Sequence, residues 1–230
     1  MNQLLTTFFA LAVACVTGLA QAQAPAAGTA SAAAPSGSAK IEAKVAICVG
    51  CHGIKGYQAS FPEVYKVPMI AGQSAKYIAA ALTEYKRGDR KHPTMRSVAT
   101  PLSDQDIAEI ASYFEALGKD PAVNLPATAD KTPSPQVAAL LQKAACVSCH
   151  GPNFAKPIDP SYPKIAGQHA DYLFVALKGY KSDNNPSLGR SNPVMGAIAK
   201  QFSVAELKAL AAYVSSLEGD LKTVPERRFR

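Results

Sequence analysis

The spacing of hydrophobic residues along the chain predicts amphipathic α-helices. After Ser103, and again after Ser203, apolar residues recur every three or four positions and therefore share one helix face. The residues concerned are Ile107, Ile110, Phe114 and Leu117, and then Leu207, Leu210, Val214 and Leu217. Each run begins with a capping-box pattern, Ser103-x-x-Asp106 or Ser203-x-x-Glu206. No alternating apolar and polar run of strand length occurs, so the pattern predicts an all-α fold.

Further helices are predicted upstream of these two. Two more stripes at helical spacing, which we interpret as core packing, are formed by Tyr77, Ala81 and Tyr85 and by Tyr172, Ala176 and Tyr180. Short helices are also expected from about Ile41 and from Gln136. Gly118 and Gly219 are predicted to end the two C-terminal helices, because glycine is common just past a helix end.

The chain repeats itself. Three segments recur in the same order, at offsets of 98, 95 and 100 residues. They are Cys48-Val49-Gly50-Cys51-His52 with Cys146-Val147-Ser148-Cys149-His150, Pro68-x-Ile70-Ala71-Gly72-Gln73 with Pro163-x-Ile165-Ala166-Gly167-Gln168, and Pro93-Thr94-Met95 with Pro193-Val194-Met195. Because the order is kept while the offset drifts by only a few residues, we expect one module to have been duplicated.

The expected organisation follows from this repeat and from the composition between its copies. A stretch of Ala, Gly, Ser and Pro precedes the first copy, and four prolines separate the two copies and preclude a continuous helix between them. The expected segments are a signal peptide (1–22), a flexible leader (23–39), the first module (40–119), a linker (120–135), the second module (136–220) and a basic tail (221–230).

The N-terminus has the features of an export signal. Residues 4–20 are apolar or small and lead into Ala20-Gln21-Ala22, a small-x-small cleavage pattern, so we expect removal of residues 1–22 and a periplasmic location. Two alternatives remain open. The segment could stay uncut as a membrane anchor, or Cys15 could be lipidated. The expected cleavage and both alternatives alike send the chain across a membrane.

The charge of the chain does not favour nucleic-acid binding. The formal net charge is +7, and it is spread evenly, with 11 basic and 8 acidic residues in 40–119 and 13 and 9 in 120–230. The nearest approach to a basic patch is the tail, which holds Arg227, Arg228 and Arg230. No concentrated basic block of the kind that binds nucleic acid is present in the sequence, so we expect no nucleic-acid partner.

The two Cys-x-x-Cys-His segments carry the chemistry. In c-type haem attachment the two thiols bond to the porphyrin and the adjacent imidazole binds iron, which gives Cys48, Cys51, Cys146 and Cys149 as attachment residues and His52 and His150 as iron ligands. Disulfides do not need the histidine, a four-cysteine zinc site has closer pairs, and a redox dithiol favours a βαβ setting. Two such segments in a duplicated context favour two covalently bound haem c groups.

Each haem needs a sixth ligand or an open position. Met95 and Met195 stand at equivalent places in the repeat, and a thioether paired with histidine suits haem iron, so we predict both as axial ligands. Met69 has Lys164 as its counterpart and is expected to fill the core. His92 lies near Met95 and is an alternative ligand, although its counterpart is Asn192, whereas His169 is expected at the surface.

On these segments the chain resembles the dihaem class I cytochromes c of the cytochrome c4 type. The likeness rests on both Cys-x-x-Cys-His segments, both Pro-x-Ile-Ala-Gly-Gln segments and the two Met-to-helix segments that reach Ser103 and Ser203. The resemblance implies two tandem all-α domains, each wrapped round one haem and related by a pseudo-twofold axis. It also implies that the carbonyls of Pro68 and Pro163 accept hydrogen bonds from His52 and His150. The tail from Leu221 to Arg230 is not matched to the family.

Iron held by histidine and methionine has no open site, so the expected activity is one-electron transfer rather than catalysis. The resemblance implies a carrier between the quinol-oxidising bc1 complex and a terminal oxidase, often of the cbb3 type. An alternative is a fixed electron-acceptor subunit of a dehydrogenase, such as a flavocytochrome c sulfide dehydrogenase. A dihaem peroxidase needs one accessible iron, and the matched Met95 and Met195 argue against it.

Overall fold

The computed structural model describes residues 37–182 and 185–226. Four helices form the first module: α1 (Gly37–His52), α2 (Ala75–Arg87), α3 (Pro93–Ala99) and α4 (Asp104–Leu117). Within the described residues of the second module there are five: α5 (Pro135–Lys143), α6 (Val147–His150), α7 (Ala170–Gly179), α8 (Pro193–Lys200) and α9 (Val204–Ser216). The predicted all-α class is therefore confirmed, and in the described part of the chain the helices are accompanied only by short strand pairs.

The strands are two residues long and form two antiparallel pairs. Within the first module β1 (Gln58–Ala59) pairs with β2 (Tyr65–Lys66), with Ala59 opposite Tyr65. Between the modules β3 (Arg90–Lys91) pairs with β4 (Gly189–Arg190), with Arg90 opposite Arg190. The second pair is thus a ribbon made of one strand from each module.

The two C-terminal helices begin where the sequence predicts. Both capping boxes form: the Ser103 hydroxyl accepts from the Asp106 backbone N–H while Asp106 accepts from the Ser103 backbone N–H, and Ser203 and Glu206 do the same. These reciprocal bonds satisfy N–H groups that the first turn of a helix leaves without partners.

The predicted apolar faces form the cores of the two modules. In the first module the buried residues of α4 pack with Val45 and Val49 of α1 and with Ile78 and Leu82 of α2. In the second, α9 packs against α7 and the loop around Phe154, and the buried Phe202 joins Leu207 and Leu210 in an adjoining cluster. Each module therefore folds its helices round its own apolar centre.

Two predicted helix boundaries were wrong. Helix α1 begins at Gly37 rather than about Ile41, and α9 ends at Ser216, so Gly219 does not end it. Gly219 instead passes so close to the Ile-Ala-Gly-Gln turn that a Cβ there would lie 2.2 Å from the Ala166 carbonyl oxygen. The physical requirement at this glycine is close backbone packing rather than helix termination.

The segment between the modules contains no helix before α5 and packs on the second module. Leu125 is buried in the second-module core, and the Pro126 carbonyl accepts a hydrogen bond of 2.7 Å from the Asn153 side chain. The Tyr213 hydroxyl donates to the Lys131 carbonyl at 2.8 Å.

The C-terminal tail returns to the first module. Leu221 is buried, and the Lys222 backbone N–H donates to the Ala71 carbonyl at 3.0 Å. The Lys222 ammonium lies 2.9 Å from the Asp120 carboxylate. Beyond Ser216 the chain therefore runs from one module onto the other.

Some predictions fall outside the described residues. The signal peptide, its alternatives with an uncut anchor or a lipidated Cys15, nearly all of the leader, and the arginines Arg227, Arg228 and Arg230 lie there. Within the described ranges, no helix is both long and apolar enough to cross a bilayer.

Candidate haem-attachment sites

The first Cys-x-x-Cys-His segment forms the last turn of α1. Helix α1 runs without a break to His52. Because Cys48 and Cys51 are three residues apart in the sequence, they share one side of this helix. Cys48 packs against the first-module core, while Cys51 and His52 are half-buried. A single turn of helix thus presents two thiols and one imidazole together.

The imidazole of His52 is oriented by a backbone carbonyl. Its Nδ1 lies 2.8 Å from the Pro68 carbonyl oxygen. A carbonyl only accepts, so Nδ1 carries the proton and Nε2 keeps the lone pair that a metal ion requires. Burial lowers the pKa of His52, an effect that the bond to Pro68 partly opposes, and the ring is held in its neutral, ligating form.

The second segment reaches a similar arrangement by a different local path. Helix α5 ends at Lys143, and the chain breaks at Ala145, which has a left-handed φ of 48°, before α6 carries Cys149 and His150. The Nδ1 atom of His150 lies 3.0 Å from the Pro163 carbonyl oxygen, and burial lowers the pKa of His150. The predicted helix from Gln136 therefore begins at Pro135 but does not continue into the cysteines.

The surroundings of Cys48 and Cys146 do not suit reactive thiols. Burial raises the pKa of Cys48 to about 11 and also raises that of Cys146. A redox-active or nucleophilic cysteine requires a lowered thiol pKa. No disulfide joins the four cysteines of the described chain. Neither Cys48 nor Cys146 therefore has the lowered pKa of a redox-active thiol.

Met95 and Met195 lie at the same place in equivalent helices. Met95 is in the first turn of α3, half-buried against the first-module core, and its N–H is capped by His92. Met195 is half-buried in the first turn of α8, where its N–H donates to Asn192 Oδ1 at 3.0 Å. The repeat therefore holds in three dimensions at both methionines.

The two remaining histidines differ in their surroundings. Both ring nitrogens of His92 already have partners, since Nδ1 accepts from the Met95 N–H at 3.3 Å and Nε2 lies 2.9 Å from the Tyr65 hydroxyl. His92 is thus poorly placed to replace Met95 as a ligand. His169 is half-buried at the start of α7 rather than at the surface. Met69, which was expected to fill the core, is only half-buried. Its backbone forms hydrogen bonds with Gln168 of the second module.

The described residues fit haem c in their donor set. Each module supplies two thiols, one thioether and one imidazole whose Nδ1 is engaged by a proline carbonyl. Within the described part of the chain, Nε2 of His52 and of His150 forms no hydrogen bond, and no cluster of three or more His, Cys, Asp or Glu side chains is arranged for a metal ion. A tetrapyrrole that brings its own four nitrogens needs only axial ligands from the protein, as this set provides.

Sequence reasoning missed the residues that join the modules. Arg90 and Arg190 meet across the β3–β4 ribbon, and each guanidinium lies over two tyrosine rings of its own module at 5.3–5.6 Å. The tyrosines are Tyr77, Tyr85, Tyr172 and Tyr180, which the stripes had assigned to core packing. A cavity of about 290 Å³ lies beside these arginines. The available signal was the offset of 100 residues between the arginines, which equals that between the methionines.

Comparison with known proteins places these features in a family. The family model for cytochrome c matches the chain twice, over residues 21–118 and 136–218. Cytochrome c4 of Pseudomonas aeruginosa is 30% identical over 94% of this chain and 100% of its own length. The thiosulfate dehydrogenase electron acceptor of Stutzerimonas stutzeri is 30% identical over 74% of this chain and 78% of its own length.

A solved structure agrees with the sequence matches. The cytochrome c4 structure from Acidithiobacillus ferrooxidans has a TM-score of 0.55 and 29% identity, and it covers 75% of this chain and 99% of its own. The relatives named cytochrome c4 are electron-transfer proteins rather than enzymes, and the two matched domains imply two covalently bound haem c groups. The chain therefore belongs to the cytochrome c family, as a dihaem electron-transfer protein of the cytochrome c4 type.

Proposed function

We propose that the chain is a periplasmic electron carrier that passes single electrons through two haems, each ligated by one histidine and one methionine. The observation that carries this proposal is the repeated orientation of the imidazoles, His52 by Pro68 and His150 by Pro163. In each module the proline carbonyl binds Nδ1, so the unprotonated Nε2 on the other side of the ring is left to bind a metal ion. Two imidazoles held in this way are suited to act as two permanent metal ligands.

The proposed ligand set is supported by the repeat and by the positions of the helices. In the first module Cys48 and Cys51 attach the haem covalently, and His52 and Met95 are the axial ligands. In the second, Cys146 and Cys149 attach it, and His150 and Met195 are the axial ligands. The half-burial of both methionines, each on the first turn of a capped helix, supports this assignment.

The protein's part in the reaction is to keep the ligands in place. Haem c supplies a one-electron iron couple when it is bound. The carbonyls of Pro68 and Pro163 fix the tautomer and the ring plane of the two histidines, and α3 and α8 fix the backbone of the two methionines. Ligands that stay fixed limit structural change between the two oxidation states, which favours rapid electron exchange.

The proposed partners are the quinol-oxidising bc1 complex as donor and a terminal oxidase of the cbb3 type as acceptor. Redox partner proteins are supported by the relatives, and this particular pair rests on the resemblance to cytochrome c4. Residues 1–22 would export the chain, and membrane attachment would require that they remain uncut or that Cys15 be lipidated.

A second candidate function is favoured by the relatives' names. Two of them are called thiosulfate dehydrogenase electron acceptors. The chain would then be the electron-accepting subunit or partner of a dehydrogenase, of which flavocytochrome c sulfide dehydrogenase is another example. The same haem ligands serve both candidates, so the distinction lies in the partner alone.

The ligand residues can be tested with three variants of the haem-loaded protein. Met95→Ala and Met195→Ala should each remove half of the weak far-red band that methionine sulfur gives on ferric iron, and each should open one iron to carbon monoxide. His169→Ala, which changes a half-buried histidine outside the proposed set, should leave the band intact. A full band in either methionine variant would contradict the assignment.

The partner can be tested by stopped-flow reduction of the oxidised protein. Reduction by the bc1 complex within milliseconds, with slow reduction by a thiosulfate or sulfide dehydrogenase, supports the carrier. The reverse order, together with stable co-purification of the dehydrogenase, supports the acceptor function.

A further inference from the structure

His92 is held at both of its ring nitrogens. Its Nδ1 accepts the Met95 backbone N–H at 3.3 Å, and its Nε2 lies 2.9 Å from the Tyr65 hydroxyl. The ring of Phe61 also meets it edge-on, at 6.2 Å between centroids. His92 therefore connects the start of α3, which carries Met95, to strand β2.

The direction of these bonds follows from the chemistry of imidazole. A ring nitrogen that accepts a backbone N–H cannot carry a proton, so in neutral His92 the proton is on Nε2 and is donated to the Tyr65 oxygen. The side chain is thus an oriented link with one acceptor and one donor, rather than a simple helix cap.

Tyr65 is in turn fixed by the second module. It is buried, and its ring packs against Tyr172 of α7 at 6.2 Å between centroids. The neighbouring Lys66 donates its backbone N–H to the Asp171 carboxylate at 3.0 Å, and its ammonium lies 3.5 Å from the same carboxylate. Strand β2 is therefore attached to α7, and His92 extends this attachment to α3.

Among the described residues of the second module, no side chains form an equivalent link. Asn192 caps the Met195 N–H in place of His92, but Asn192 is exposed. At the offset of 95 residues that relates the neighbouring Pro68 and Pro163, the position of Tyr65 is taken by Pro160, which has no hydroxyl. The N–H groups of the two methionines thus have equivalent side-chain caps, and of the two capping side chains only His92 is hydrogen-bonded to a residue that packs on the other module. Beside Asn192 the contact between the modules is made by the backbone, where the Ser191 N–H donates to the Asp89 carbonyl at 2.7 Å.

We propose that His92 and Tyr65 are positioning residues that hold Met95 in place through the contact with the second module. This inference rests on the proposed ligand set, in which Met95 is an axial ligand. An external ligand must then displace Met95 against the His92–Tyr65 bond, whereas the side chain that caps Met195 is exposed and adds no such bond. The first-module iron is accordingly the slower of the two to exchange its methionine.

The test follows the far-red band of the ferric, haem-loaded protein after cyanide is added. The wild type should lose the band in two phases, and Met95→Ala should abolish the slow phase. Tyr65→Phe removes the hydroxyl alone, and His92→Asn gives the first module the cap of the second. Each should accelerate the slow phase roughly tenfold, the scale of one buried hydrogen bond, and leave the fast phase unchanged.

Matched controls separate positioning from general loosening. Tyr213→Phe removes another tyrosine hydroxyl, one that donates to the Lys131 carbonyl at 2.8 Å in the second module, and it should leave the slow phase at the wild-type rate. Acceleration by all three variants, or by none, would overturn the proposal. A full far-red band in Met95→Ala would instead overturn the ligand set on which the proposal rests.

Discussion

The side-chain amides of Gln73 and Gln168 each form two hydrogen bonds with the backbone of the opposite module, one through the nitrogen and one through the oxygen. Gln73 donates to the Lys164 carbonyl at 2.9 Å and accepts the Lys164 N–H at 3.0 Å. Gln168 donates to the Met69 carbonyl at 2.8 Å and accepts the Met69 N–H at 3.1 Å. Since Met69 and Lys164 are themselves equivalent in the repeat, the two pairs of hydrogen bonds are related by the pseudo-twofold symmetry of the modules.

Replacement of either glutamine should destabilise the protein by a similar amount. Gln73→Ala or Gln168→Ala leaves one backbone N–H and one carbonyl of the other module without their partner, so we expect each to lower the free energy of unfolding by about 2–4 kcal/mol. Denaturant titration measures this. Gln105→Ala removes an exposed amide that bonds to Glu109, and it should change stability by less than about 0.5 kcal/mol. Strongly unequal losses at Gln73 and Gln168 would argue against the symmetric interface.

Close backbone packing at two glycines gives a second prediction. A Cβ at Gly118 would lie 2.0 Å from the Gly72 nitrogen, and one at Gly219 would lie 2.2 Å from the Ala166 oxygen. Gly118→Ala and Gly219→Ala should each cost at least about 3 kcal/mol, seen as a lower unfolding midpoint or loss of soluble protein. Gly179→Ala is the matched control, because its Cβ would meet the Arg190 side chain at an ordinary 3.5 Å. Wild-type stability of Gly118→Ala would contradict the packing described.

The loss of folding stability at acidic pH should depend on Lys44. Its ammonium lies 2.6 Å from the carboxylates of Asp106 and Glu109, and hydrogen bonds from Lys44 hold the pKa of both below their ordinary values of 3.8 and 4.5. A carboxyl whose pKa is lowered on folding contributes stability above its unfolded pKa and loses it as the pH falls through the folded value. The contribution is therefore present above about pH 4.5 and declines below it.

Unfolding of Lys44→Met at a series of pH values tests this. The variant should lose less stability than the wild type between pH 4.5 and acid conditions, because part of the shift is gone. Lys40→Met, on an exposed position of the same helix, should keep the wild-type slope. If the free energy of unfolding falls equally for Lys44→Met and the wild type as the pH is lowered, the ion pairs of Lys44 do not contribute to the pH dependence of stability.

The tail should stabilise the protein by returning to the first module. Leu221 is 7% exposed, so Leu221→Ala should lower the free energy of unfolding by about 2–4 kcal/mol. Ile158→Ala, at a side chain that is 69% exposed, should change it by less than about 0.5 kcal/mol. Equal stability of the two variants would mean that residues 221–226 are not part of the fold.

The sequence predicted the structural features that form within a single module. The repeat of the Ser103 and Ser203 capping patterns, followed by apolar residues at helical spacing, located α4 and α9 because local hydrogen bonds and one buried face determine where such helices form. The haem c cofactor was predictable for the same reason, since a Cys-x-x-Cys-His segment is a local pattern; the assignment of its thiols and imidazole to individual roles stays a prediction.

Contacts between the modules were not predictable in the same way. A repeat shows that Gln73 resembles Gln168 and that Arg90 resembles Arg190, but it does not show which backbone or ring each of them meets. The break at Ala145 was also missed, because its left-handed φ of 48° falls on an alanine, where the sequence offers no glycine to signal it. Tertiary contacts decided these features.

The most direct test of the account is an optical spectrum of the haem-loaded protein, recorded oxidised, reduced, and reduced under carbon monoxide, with the ratio of haem to protein. The account predicts two haems per chain, a far-red methionine band and no change under carbon monoxide, since Met95 and Met195 close both irons. A carbon monoxide adduct on either haem of the wild-type protein, or a ratio below two, would contradict it.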